Sequence, residues 1–174
     1  MPKLDSSTTA FRAAGHQLID WIGDYFDNID SYDVLSRVQP GDVEKQFPAR
    51  ASETGRAYDE LLADFASKIV PGITHWNHPA FFAYFSITGS QAGVLGEMLS
   101  AAINANGMLW KTSPSLTGLE TLSLRWLRDA LGLPSNLFGI INDTASINVF
   151  LALAAARENL GLNIRGEGMT GRDL

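Results

Sequence analysis

The residues best placed for chemistry are Thr144 and Ser146, in the run Asn142-Asp143-Thr144-Ala145-Ser146. A short apolar stretch, Phe138 to Ile141, leads into them, and an apolar run of helical character follows. Two hydroxyls and several free backbone N–H groups at a helix start suit an anion, because aligned peptide dipoles put partial positive charge there. A phosphate would be held by the hydroxyls of Thr144 and Ser146 and by the main-chain N–H groups of 144–146. The same residues also make a plain N-cap, which Asp or Thr supplies ahead of many apolar helices. No G-x-x-x-x-G-K-[ST] run occurs, which disfavours a nucleotide phosphate loop.

The second concentration of chemical groups is ITHWNHPAFFAYFSITG, residues 73–89. His75-x-x-His78 has the spacing of a metal pair, but no Asp, Glu or third His stands close by, and Pro79 breaks the helix face such a pair needs. Hydrogen-bonded loop histidines with no metal are expected. Trp76, Phe81, Phe82, Tyr84 and Phe85 read mainly as core, with an apolar ligand wall as the alternative. His16 falls among polar neighbours and is expected to face solvent. Asp59, Glu60, Glu97 and Glu120 are scattered at helical positions, and their spacing supports no acid–base pair. The chain has no cysteine, so disulfides, thiolate metal sites and a Cys nucleophile are all excluded.

The positioning elements follow from periodicity. Apolar residues from Phe11 to Ile29 recur at spacings of three, four and seven, which predicts an amphipathic helix with N-cap side chains available at 5–9. Val38-Gln39-Pro40-Gly41 marks a turn, and Phe47-Pro48 an extended stretch. Helices are expected at Tyr58–Ile69, stopped by Pro71-Gly72, at Gln91–Ile103, and from Pro114 through Leu131, ended by Gly132 and Pro134. Phe138–Ile141 reads as a strand and Ala145–Leu160 as a buried helix closed by Gly161. The 73–89 stretch reads as a structured loop or short strand, and Asn163–Leu174 as a loop. Composition shifts near residues 86–90, from the aromatic loop to helices rich in small residues.

Bulk numbers bound the function. The 174 residues are 45% hydrophobic and 18% charged, ordinary for a globular protein. A net charge of −6 and a pI near 4.9, with no basic run, argue against nucleic acid and anionic membrane surfaces. Met1 to Thr9 is short and polar with no apolar signal core, and no apolar stretch nears the roughly 20 residues a bilayer span needs. A cytoplasmic location is expected.

Taken in order, several blocks resemble the group II pyridoxal-phosphate-dependent amino-acid decarboxylases, nearest the aromatic-L-amino-acid (DOPA/tryptophan) branch. They are FRAAGHQLIDWIGDY from Phe11, Val38-Gln39-Pro40-Gly41, Pro71-Gly72-Ile73-Thr74-His75-Trp76, and Pro79-Ala80-Phe81-Phe82-Ala83-Tyr84-Phe85. Then come Trp110, Ser113-Pro114, Thr117-x-Leu119-Glu120, and Asp143-Thr144-Ala145-Ser146 ahead of Leu151–Arg157. The resemblance spans about residues 11–160. Met108 replaces the aromatic residue usual in this branch, and Ser86-Ile87 the usual Pro-Thr.

The resemblance implies an α/β enzyme of fold-type I, the aspartate-aminotransferase-like class, of which this chain is the mostly α-helical N-terminal portion. Residues 1–86 would be a helical dimerisation segment with the aromatic loop, and 87–174 the beginning of the large cofactor domain. It implies pyridoxal 5'-phosphate as cofactor, its phosphate at Thr144, Ala145 and Ser146, and a substrate pocket drawing on Trp76, Tyr84, Phe85, Asn106 and Met108. The reaction implied is release of CO2 from an L-amino acid, aromatic by branch, to give an amine. The Schiff-base lysine of the family falls beyond Leu174, so no catalytic residue is assigned in this chain, and Lys3, Lys45, Lys68 and Lys111 are not promoted to that role. A complementary C-terminal polypeptide and a homodimer of the complete enzyme are the expected partners. The alternatives are a non-catalytic dimerisation module, a decarboxylase acting on a non-aromatic amino acid, and a small-molecule binding protein that uses the same pocket.

Overall fold

A computed structural model describes residues 7–172, which gather into two compact units, Met1–Glu97 and Met98–Leu174. Lys3 and the rest of Met1–Ser6 lie outside the described residues, as do Asp173 and Leu174. The expected helical character is observed, and no strand occurs among the described residues.

In the first unit, α1 (Thr8–Asp27) starts where the Ser7 hydroxyl accepts the N–H of Ala10 at 3.2 Å, an N-cap from the predicted 5–9 run. The helix stops at Asp27 rather than Ile29. Both the backbone N–H and the side-chain amide of Asn28 donate to the Asp24 carbonyl, and Ile29–Ser31 tighten into a 3-10 turn. Trp21 and Tyr25 of α1 stack at 5.6 Å, and Trp21 meets Phe65 edge-on at 5.1 Å. Phe65 belongs to the continuation of α2 (Tyr58–Asp64), which widens to a π turn over Phe65–Ile69 and tightens over Val70–Gly72. The Gln39–Asp42 turn closes with a 3.0 Å bond from the Asp42 N–H to the Gln39 carbonyl. Pro40 and a left-handed Gly41 (φ +88°) occupy its centre. After the aromatic loop, α3 (Gln91–Ile103) begins.

The second unit holds α4 (Pro114–Ala130), α5 (Ala145–Asn159) and α6 (Ile164–Glu167). At the end of α4, Gly132 takes φ +65°, Leu133 N–H reaches the Arg128 carbonyl and Gly132 N–H the Asp129 carbonyl, which is a Schellman ending.

Several expectations are corrected. Phe138–Ile141 is not a strand: it finds no ladder partner among the described residues, and the Ile141 N–H donates to a Glu120 carboxylate oxygen instead. Asn163–Leu174 is not all loop. A single helical turn, α6, forms around the buried Ile164, braced by Arg172, which bonds the Leu162 carbonyl and the Glu167 carboxylate. One turn is too short to leave a periodic signal. α5 is not buried: Val149, Phe150 and Leu153 are largely exposed, because the apolar side chains on its several faces find no cover among the described residues. The loop aromatics are not mainly core either. Phe81 is buried, whereas Phe82, Tyr84 and Phe85 stand in solvent.

Candidate functional site

The start of α5 is built locally. Thr144 has an extended backbone (φ −143°, ψ 156°), and its hydroxyl accepts the Ile147 N–H at 3.2 Å. This N-cap uses an acceptor lone pair and leaves the hydroxyl proton free to donate. No acceptor among the described residues meets the N–H groups of Ala145 or Ser146, or the Ser146 hydroxyl. The first turn carries no acidic side chain, although Asp143 immediately precedes the cap. Two bonds fix the approach: Ile141 N–H to Glu120 at 2.8 Å, and the Asn142 side-chain amide to Asn148 at 2.6 Å. The result is a cluster of uncommitted donors at the positive end of a helix dipole. That chemistry fits a phosphate.

In the first unit, Trp76 stacks nearly parallel to Tyr84 (centroids 5.6 Å apart, 3° between planes) and also stacks on the buried Phe81 at 5.1 Å. Tyr84 holds a left-handed backbone (φ +57°), a conformation that costs a non-glycine residue free energy. Phe85, next in the chain, exposes its whole ring.

The two histidines are hydrogen-bonded loop residues, as expected. His78 Nδ1 accepts the Ala80 N–H at 3.0 Å, and His75, only 4% exposed, pairs its Nδ1 with the Tyr25 hydroxyl at 2.9 Å. Burial first, and then the nearby His78, holds the His75 imidazole below its ordinary pKa, so it is neutral at neutral pH. Burial also pushes the Tyr25 hydroxyl up; Tyr32 adds to the shift and the Asn77 side chain opposes it.

Asn106 and Met108 form a turn of their own in the second unit: Asn106 Oδ1 accepts the Met108 N–H at 2.9 Å, and the Met108 side chain is exposed. Thus Trp76 and Tyr84 meet, Phe85 makes no ring contact with them, and Thr144, Ala145 and Ser146 share one helix start. His16 faces solvent on α1. Lys45 pairs with Asp42 and Lys68 with Asp64.

Three features escaped the sequence reading. Glu120, read as a scattered carboxylate, holds the segment that enters α5. Tyr25 and His75 are partners across fifty residues, a distance at which spacing carries no signal. Gly166-x-Gly168-x-x-Gly171 reproduces the glycine spacing of a dinucleotide loop. However, it begins within the single turn of α6, with no strand ahead of it among the described residues and no helix after Gly171 as far as Arg172.

The model of the pyridoxal-dependent decarboxylase conserved domain matches residues 40–173. Tryptophan decarboxylase 2 of Oryza sativa subsp. japonica is 44% identical over 153 residues, covering 84% of this chain and 31% of that protein. Phenylacetaldehyde synthase of Arabidopsis thaliana is 42% identical over 155 residues, 86% of this chain and 32% of its own length. The crystal structure of Oryza sativa TDC with PLP and tryptamine superposes with a TM-score of 0.84 at 32% identity, covering 95% of this chain and 37% of the other. The chain therefore spans about a third of the length of the relatives it matches.

Proposed function

Because this chain belongs to the pyridoxal-dependent decarboxylase family, we propose that it supplies the cofactor-phosphate and substrate-pocket residues of an enzyme that releases CO2 from an aromatic L-amino acid. The reading gives the complete enzyme fold-type I architecture and makes it a cytoplasmic homodimer. Residues 1–86 serve as its helical dimerisation segment and 87–174 as the beginning of its cofactor domain. The observation that carries the reading is the open first turn of α5, whose uncommitted donors suit a phosphate.

In this division of labour the N–H groups of Ala145 and Ser146 and the hydroxyls of Thr144 and Ser146 hold the phosphate. Trp76 and Tyr84, with Phe85, Asn106 and Met108, line the substrate side and exclude water. The bound cofactor supplies an electron-withdrawing ring that takes up the electron pair left when the carboxylate departs as CO2. The lysine that would hold it covalently is assigned to the complementary C-terminal polypeptide.

Co-expression with a polypeptide carrying the rest of the enzyme tests this. The complex should develop visible absorption with pyridoxal phosphate and release labelled CO2 from carboxyl-labelled L-tryptophan, L-tyrosine or L-DOPA. Borohydride reduction and peptide mapping should find the cofactor on the partner polypeptide. Stoichiometric attachment to one lysine of this chain overturns the assignment, and stable assembly without CO2 release favours the non-catalytic module.

A further inference from the structure

His75 is one of the few buried polar side chains among the described residues, and it belongs to none of the groups assigned above to phosphate or substrate. It is tied in three directions. Its ring pairs with the Tyr25 hydroxyl of α1 at 2.9 Å and lies between 4.8 and 5.6 Å from the rings of Tyr32 and Tyr25. Its backbone N–H donates to the Val34 carbonyl at 3.0 Å, and its own carbonyl accepts the His78 N–H at 3.0 Å. On the other side of Trp76, the Asn77 side chain accepts the Gly89 N–H at 2.9 Å and closes the loop that carries Phe81, Tyr84 and Phe85. Trp76 itself makes no hydrogen bond among the described residues and is 45% exposed. Its orientation is therefore set by its two anchored neighbours and by ring contacts within the loop.

We infer that Tyr25 and His75 are a positioning pair: their half-buried hydrogen bond fixes the base of the aromatic loop to α1 and so holds the Trp76–Tyr84 stack in one orientation. The bond survives either protonation state of the imidazole. A hydroxyl donates to a neutral Nδ1 and accepts from a protonated one, so the pair is a mechanical anchor rather than a pH switch. The consequence for substrate rests on the pocket reading above, whereas the anchoring itself does not.

The test compares Tyr25→Phe, which keeps the ring and removes the hydroxyl, with His75→Asn, which keeps a polar atom near the Nδ1 position. Amide hydrogen exchange across the whole chain is the first readout. Tyr25→Phe should speed exchange in 76–89 by about tenfold while α1 and α2 change little, and His75→Asn should restore part of the protection relative to His75→Leu. Uniform loss of protection over the first unit, or no change in 76–89, overturns the inference, since either result describes an ordinary buried contact. The second readout is the complete, cofactor-loaded enzyme carrying Tyr25→Phe. KM for the aromatic amino acid should rise several-fold, with a smaller change in kcat. Selective loosening of 76–89 with KM unmoved upholds the positioning pair and overturns the assignment of Trp76 and Tyr84 to the pocket.

Discussion

Thr144 and Ser146 sit two residues apart, yet the structure gives them different work, and paired substitutions separate the two tasks. Thr144 caps α5 through the 3.2 Å bond its hydroxyl accepts from Ile147. Thr144→Ala should cost about 1 kcal/mol of stability, the usual worth of such a cap. The Ser146 hydroxyl has no partner among the described residues, so Ser146→Ala should leave the unfolding midpoint nearly unchanged. Affinity should follow a different order. A hydroxyl donating to a phosphate oxygen is a charge-assisted bond worth about 1.5–3 kcal/mol, and exposure to water puts this one at the lower end. Ser146→Ala should then weaken phosphate binding roughly tenfold.

Calorimetric titration with pyridoxamine phosphate is the suitable assay, because that ligand carries the phosphate but no aldehyde to react with surface lysines. Pyridoxamine without the phosphate is the control, and Ser146→Ala should not change its binding. If Ser146→Ala leaves the affinity for pyridoxamine phosphate unchanged, or weakens both ligands equally, the phosphate is not held at this helix start. The residues would then be an N-cap alone.

Three further outcomes follow from the first unit. Adding a Cβ at Gly72 would bring it within 2.9 Å of a Val43 methyl, so Gly72→Ala should destabilise the chain by about 1–3 kcal/mol in urea denaturation. The His75 pKa is depressed by burial, so the unfolded chain binds a proton more readily than the folded one. Stability should be complete above the unfolded value near 6.5 and fall as the pH drops from there toward the folded pKa. His75→Asn should lack that part of the slope when midpoints are compared from pH 8 to pH 5. Hydrogen bonds from Lys68 and Arg56 hold the Asp64 carboxyl below the usual carboxylate range, a contribution present above the unfolded pKa and lost as the pH falls through the folded one. The stability advantage of wild type over Asp64→Asn, taken from urea midpoints followed by circular dichroism, should therefore be largest near neutral pH and shrink as the pH falls below about 4; a difference that does not change with pH refutes the assignment.

What the sequence made legible is local. The limits of α3, the Ser7 cap, the Pro40–Gly41 turn and the start of α5 are set by residues within a turn of one another, so spacing and cap chemistry sufficed. Apart from the single turn of α6, the failures have the opposite cause. Whether Phe138–Ile141 pairs into a sheet depends on a partner strand elsewhere in the sequence, and a short apolar run does not say where. Phe81 and Phe82 are adjacent and chemically identical, yet one is buried and the other bare, because their surroundings are set by a loop that Asn77 and Gly89 close from twelve residues apart. The bond from Glu120 to Ile141 spans twenty-one residues and leaves no mark on spacing. Blocks such as Pro79–Phe85 were legible as a resemblance, but their aromatic content alone could not separate a wall from a core.

The distinction between local and assembled features has a functional consequence. The donors at α5 are fixed by Thr144, by the helix that follows and by two hydrogen bonds at its approach, all within one unit. Nothing that covers the apolar faces of α5 is needed to aim them, so phosphate affinity should be a property of this chain by itself. The aromatic wall is different. Tyr84 and Phe85 stand in solvent, so a ligand stacked on one of these rings would keep its own far face in water. If Trp76 and Tyr84 line the proposed substrate pocket, discrimination among aromatic side chains has to come from whatever encloses them in the complete enzyme. The chain alone should bind pyridoxamine phosphate measurably better than pyridoxamine. It should nevertheless fail to distinguish tryptamine from an aliphatic amine of similar size. Selectivity in the isolated chain would place the enclosing surface within these residues and refute the argument.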